Sequence, residues 1–221
     1  MTSLPRITRS AAPPAAGMVH LGPGAFFRAF IAPYTDEAMG AGSANGEDWG
    51  IIAVSLKSPT AREALVPQGC VYTALERGPE GDTLRQVEAI TDVLVAPEDP
   101  RAVLDVLTQP EIRIVSLTVT EKGYCHNPRN GSLRTDHPDI AHDIATNDAP
   151  RTALGFLVLA LSRRREAGIP PFTVLCCDNL PANGAMLRQL VTELAGQRDS
   201  AGFSAGLANW IGTHVAFPLS L

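Results

Sequence analysis

The chain has 221 residues, 45% hydrophobic and 19% charged, which suits one large or two small globular domains with a substantial core. A net charge of −5 leaves no basic excess to neutralise phosphates, so no nucleic-acid partner is expected. The longest apolar run, "ALGFLVLAL" at 153–161, is too short to span a bilayer and ends in three arginines, so no membrane partner is expected either.

Residues 1–16 are rich in proline and alanine, lack the apolar segment of a signal peptide and read as a flexible arm. "GMVHLG" (17–22) is a short apolar strand. "FFRAFIAPYTDEAMGAG" then reads as a helix ending near Gly40 and Gly42, with Pro33 at a kink or first turn. "WGIIAVSL" (49–56) is a second strand, and "SPTAREAL" opens a helix with Ser58 as N-cap and Pro59 at its first position. Segments 70–77 and 83–90, separated by "GPEGD", suggest a hairpin. A capped helix at 98–109 and a buried strand at 112–120 follow, then a polar loop, "EKGYCHNPRNGSLRTDHPD", long enough to be functional. A helix over 149–168 closes at Gly168, with Arg163, Arg164 and Arg165 complementing its dipole. A strand at 171–177 and helices at 183–197 and about 203–213 complete the pattern. Strands alternating with helices predict an α/β fold: a Rossmann-like, doubly wound, largely parallel sheet over 17–221, helices on both faces, and a small β-hairpin elaboration.

In such sheets ligands bind beyond the carboxyl ends of the strands, which directs attention to four loops. In "GPGAFFR", Gly22 permits a tight turn and Gly24 lets the backbone approach a pyrophosphate at a helix N-terminus. Phe27 stands where the usual fingerprint has its third glycine, so the turn alone leaves a nucleotide site and a plain turn both open. After the second strand, "SLKSPT" has no acid to grip ribose hydroxyls; Lys57 and Ser58 are either 2′-phosphate contacts or an exposed lysine and a cap. Glu121 and Lys122 follow the third strand as candidate substrate-orienting or proton-transfer groups, or as a solvated pair. "CCDNLPANG" crowds Asp178, Asn179 and Asn183 at a strand end, where an asparagine can stabilise oxyanion charge; Asn183 also fits simple helix capping. His137 and His142 are five apart among acids and do not share a helical face, so no metal site is expected. Cys70, Cys125, Cys176 and Cys177 form no C-x-x-C pair, which suggests reduced thiols and a cytoplasmic location.

Taken in order, "VHLGPGAFFRAF", "WGIIAVSLKSP", "VYTALERGPEGD", "RIVSLTVTEKGYC", "VLCCDNLPANG" and "WIGTHVAFP" resemble the polyol-specific long-chain dehydrogenases, the family of mannitol 2-dehydrogenase and fructuronate reductase. That family's turn is G-x-G-x-F-H-R-A-H, without a third glycine; Gly22, Gly24, Phe26, Arg28 and Ala29 match it, while Phe27 and Phe30 replace histidines. The resemblance implies an NAD or NADP cofactor, leaning to NAD, and metal-free hydride transfer between a polyol or sugar acid and its keto form. It nominates Gly22, Gly24, Ala25, Phe26, Arg28, Ser55, Lys57, Thr120, Glu121 and Asn179 as cofactor contacts, with Asn179 also catalytic. It further implies a helical domain carrying a K-x5-N-x2-H proton-transfer set; neither Lys57 nor Lys122 starts that pattern, so the expectation is a truncated chain, the cofactor half alone. Two other readings stay open. One is a non-catalytic nucleotide-binding or interaction module that self-associates through an exposed face. The other is a methyltransferase, which leaves "TVTEKGY" unexplained.

Overall fold

The computed structural model describes residues 7–9, 11–40 and 49–219. Five parallel strands form the main sheet: β1 (Ala16–Leu21), β2 (Gly50–Ser55), β5 (Ile90–Val95), β6 (Ile114–Leu117) and β7 (Thr173–Cys176). Their order is β5-β2-β1-β6-β7. The chain therefore builds outward from β1 on one side, then crosses over and builds outward on the other. β3 (Tyr72–Gly78) and β4 (Gly81–Val87) form the expected antiparallel hairpin, closed by a two-residue loop at Pro79 and Glu80.

Strand alternation makes the sheet apolar on both faces, as parallel strands covered by helices must be. On β1, Val19 and Leu21 belong to the larger core, and Met18 to the smaller one on the opposite face. The larger core is covered by α3 (Pro100–Leu107), α4 (Pro138–Ala145), α5 (Ala153–Glu166), α6 (Asn183–Ser200) and α7 (Leu207–His214). α5 is buried on nearly every side between α3, α6 and the sheet; each of its leucines contributes about 1.5–3 kcal/mol of burial. The smaller core holds Phe27, Ala32 of α1 (Ala32–Gly40), Leu65 of α2 (Thr60–Leu65) and Val87 of the hairpin.

Several local expectations are corrected. The first helix opens at Ala25 and passes through a π-helical turn, Phe27–Ile31, two residues before Pro33, whose ring disrupts ordinary α-helical bonding. Its expected end at Gly42 lies outside the described residues. Pro59, not Ser58, is the N-cap of α2, and no side chain caps it. The second hairpin strand stops at Val87, and β5 follows as a separate edge strand of the main sheet. Within the long polar loop, Glu121–Tyr124 form a 3₁₀ turn and α4 starts at Pro138. Arg164 does more than complement a dipole: it is buried and donates to the carbonyls of Leu107, Gln109 and Pro170. Of the N-terminal arm, residues 1–6 and 10 lie outside the described residues. Arg9 donates to the carbonyls of Gly69, Glu88 and Ile90, strapping the arm across the hairpin base.

Candidate functional site

The order of strands puts a topological switch between β1 and β6, and two clefts open there at the carboxyl ends of the strands. The first, of about 380 Å³, is lined by Gly22, Gly24, Arg28, Ser55, Lys57 and Thr120 among others. The second, of about 930 Å³, is lined by Phe26, Cys177, Asp178 and Asn179. Thr118 borders both.

The two glycines of the turn have different reasons to be glycine. Gly22 has φ +92°, and a Cβ there would lie 2.3 Å from the Thr118 carbonyl oxygen, so the fold itself demands glycine. Gly24 has no such constraint: a Cβ would meet nothing nearer than the Gly22 carbonyl oxygen at 3.9 Å. Its bare backbone faces the first cleft. The helical amides that follow, at Ala25 and Phe26, have no preceding turn to bond.

His20, fully buried on β1, holds this turn and was not singled out from the sequence. The Thr118 hydroxyl donates to the Gly22 carbonyl at 2.7 Å, so its oxygen must accept from His20 Nε2 at 2.8 Å. Nε2 therefore carries the proton, and Nδ1 accepts from the Ser116 hydroxyl at 2.8 Å. The same Nε2–H lies 3.2 Å from the Gly22 carbonyl oxygen. Burial pushes the imidazole down to about 3, so it stays neutral. The available signal was a polar residue near the carboxyl end of each of two apolar strands, His20 and Ser116.

Asp178 clamps the loops after β6 and β7. Its carboxylate accepts from the Val119 amide at 2.9 Å, the Thr120 amide at 3.3 Å and the Tyr124 hydroxyl at 2.6 Å. Burial first, then the hydrogen bonds to Asp178 and Cys176, push the Tyr124 hydroxyl well above its ordinary range. Thr120 has φ +67° and ψ 159°, a conformation nearly confined to glycine, so the clamp holds a strained residue at the cleft. Asn183 does not cap α6, whose N-cap is Ala182; its side-chain amide donates to the carbonyls of Cys176 and Asp178.

Of the nominated residues, the first cleft gathers Gly22, Gly24, Arg28, Ser55, Lys57 and Thr120, and the second gathers Phe26 and Asn179. Ala25 faces instead the groove between α1 and the hairpin. Glu121 lines neither cleft; it is exposed, 3.9 Å from His126 Nε2. His137 Nδ1 accepts from the Asp139 amide at the start of α4, and His142 Nε2 donates to the Ala149 carbonyl. Among the described residues no three of His, Cys, Asp and Glu converge as a metal would require, and no helix is long and apolar enough to cross a membrane.

A glycine turn opening onto the switch point of a five-stranded parallel sheet defines a domain of Rossmann type. The chain belongs to the mannitol dehydrogenase family: the profile described as the mannitol dehydrogenase Rossmann domain matches residues 16–221. An uncharacterized oxidoreductase of Escherichia coli K12, YeiQ, is 44% identical over 203 residues, 91% of this chain and 40% of that protein. Mannitol 2-dehydrogenase of Cereibacter sphaeroides is 43% identical over 204 residues, 91% of this chain and 41% of that protein. The structure of Pseudomonas fluorescens mannitol 2-dehydrogenase, a ternary complex with NAD and D-mannitol, superposes with a TM-score of 0.85 at 42% identity. It covers 92% of this chain, which in turn covers 41% of it. The chain thus spans about two fifths of the length of these relatives.

Proposed function

We propose that this chain is the cofactor-binding part of a nicotinamide-dependent dehydrogenase acting on a polyol or sugar acid, of mannitol/fructose or mannonate/fructuronate type. The observation that carries the reading is Gly24. Nothing in the described chain requires glycine there, yet its bare backbone faces the cleft at the start of a helix, as a pyrophosphate would need. The NAD held by the Pseudomonas relative supports the same assignment.

The chemistry such a dinucleotide supplies when bound is hydride transfer to or from the carbon of an alcohol or ketone. Gly22 and Gly24 admit the pyrophosphate, and Arg28 faces its charge. Ser55 and Lys57 border the ribose end, Thr118 borders both clefts and Thr120 lines the first. Asn179, on the second cleft, donates through its side-chain amide to the substrate oxygen and stabilises charge developing there. Four cysteines, none of them in a disulfide, suit a reducing compartment, the cytoplasm.

The test is a titration of the purified chain with NADH, followed by nucleotide fluorescence. Saturable micromolar binding that Gly24→Val weakens supports the reading; a folded chain that binds no nucleotide rejects it.

A second reading, self-association, rests on one feature. Phe26, Phe30 and Tyr34 recur every four residues and are 51%, 46% and 65% exposed, forming an aromatic stripe on one helix. A solution mass that rises with concentration, and stops rising in Phe30→Glu, supports it; a constant monomer mass rejects it.

A further inference from the structure

The ribose end of the first cleft has the wrong charge for a site that selects the unphosphorylated dinucleotide. Selection of that kind uses a carboxylate after the second strand, which accepts from the ribose hydroxyls and repels a 2′-phosphate. Here the residues after β2 are Leu56, Lys57, Ser58, Pro59 and Thr60, and among the described residues no Asp or Glu lines the cleft. Glu98, just beyond the neighbouring strand β5, is held by both guanidinium nitrogens of Arg62 at 2.5 and 3.0 Å.

Two cations do line it, Arg28 and Lys57. Among the described residues neither the Arg28 guanidinium nor the Lys57 ammonium has a hydrogen bond or ion pair. A dianion arriving here displaces no existing partner. Beside Lys57, the Ser58 and Thr60 hydroxyls lie 3.2 Å apart, and neither caps α2. A lysine with two adjacent hydroxyls is a donor set for a phosphate monoester.

We propose that this cleft accepts the 2′-phosphorylated dinucleotide, NADP(H), at least as tightly as NAD(H), with Lys57, Ser58 and Thr60 as the phosphate contacts. The proposal rests on the dinucleotide reading above and separates this chain from the Pseudomonas relative, which holds NAD. Arg28, one turn into the helix behind Gly24, is left for the pyrophosphate.

Calorimetric titration of the purified chain with NADPH, NADH, adenosine 2′,5′-bisphosphate and 5′-AMP, at one fixed ionic strength, tests it. NADPH should bind no more weakly than NADH, and the bisphosphate should bind about tenfold more tightly than AMP. Lys57→Ala should weaken both 2′-phosphorylated ligands about tenfold more than it weakens NADH and AMP, while Lys57→Arg should keep the preference. Lys57 is exposed, so these variants leave the core intact. NADH binding more tightly than NADPH, or a preference that Lys57→Ala does not move, overturns the proposal while leaving the dinucleotide site standing. Binding of none of the four by the folded chain overturns both.

Discussion

His20 and Phe27 stack face to face, with ring centroids 3.9 Å apart and planes 12° from parallel. The contact joins β1 to the helix behind the glycine turn, where the usual dinucleotide fingerprint has its third glycine for close helix–strand packing. Phe27 is fully buried, so here the same junction is closed by filling it rather than by removing a side chain.

Restoring the usual fingerprint should therefore harm this protein. Phe27→Gly leaves a cavity over the His20 imidazole and adds backbone freedom inside a helix, with an expected loss of about 3–5 kcal/mol. Urea unfolding checks it. A variant as stable as the parent would mean that the stacked pair is dispensable.

The second expectation concerns pH. Unfolded, the His20 imidazole titrates near 6.5; folded, burial holds it down to about 3. Between those values the unfolded state binds the extra proton. Stability from His20 is thus complete above pH 6.5 and declines as pH falls toward 3. Through this residue alone, moving from pH 7 to pH 5 should remove about 2 kcal/mol. His20→Gln keeps hydrogen-bonding groups but does not titrate, so its stability should fall by about 2 kcal/mol less over the same interval. Equal losses in both proteins would assign the acid sensitivity to other groups.

The two glycines of the turn should separate folding from binding. Gly22→Ala forces a side chain into a left-handed backbone and against the Thr118 carbonyl, so melting should drop, with about 1–3 kcal/mol lost to backbone strain before the clash is counted. Gly24→Ala meets nothing within the chain and should melt within about 0.5 kcal/mol of wild type while losing nucleotide affinity. Thermal melts paired with NADH titrations read both effects. A Gly24→Ala protein that binds like wild type would remove the main support for a pyrophosphate at this turn.

How much of this was legible in the sequence follows the strength of each local signal. β1, β2, β6 and β7 were readable as apolar runs, Asp99 caps the helix expected over 98–109 and Gly168 closes α5 as expected, whereas α5 begins at Ala153 behind Thr152 rather than at 149. β5 was not, because only Glu88 and Ala89 separate it from β4, and neither glycine nor proline punctuates the break. α4 was hidden by its polar composition and by an unusual cap, His137, although Pro138 followed by Ile140 and Ile144 carried the pattern. In the site, the residues at strand ends were foreseeable from sequence order. The bonds between loops were not: Asp178 reaches Val119, 59 positions away in sequence, and His20 reaches Thr118 across 98. Such contacts are products of strand order, and no spacing rule encodes them.

The Asp178 clamp carries the last prediction. It holds the amides of Val119 and Thr120 and the Tyr124 hydroxyl, and Thr120 sits in a backbone region that threonine avoids. Relieving the strain and breaking the clamp should act in opposite directions. Thr120→Gly removes the strain, worth about 1–3 kcal/mol, against a smaller gain of freedom in the unfolded chain, so it should melt at or above the wild-type temperature. Asp178→Ala leaves two backbone amides and a buried hydroxyl without their acceptor and should lose about 2–4 kcal/mol. Because Tyr124 and Asp178 share one bond, Tyr124→Phe combined with Asp178→Ala should lose less than the sum of the two, by about 1 kcal/mol. Thr120 lies on the first cleft and Asp178 on the second, so Asp178→Ala should also weaken NADH binding at temperatures where it remains folded. Additive losses and unchanged binding would make Asp178 a local loop contact with no bearing on the site.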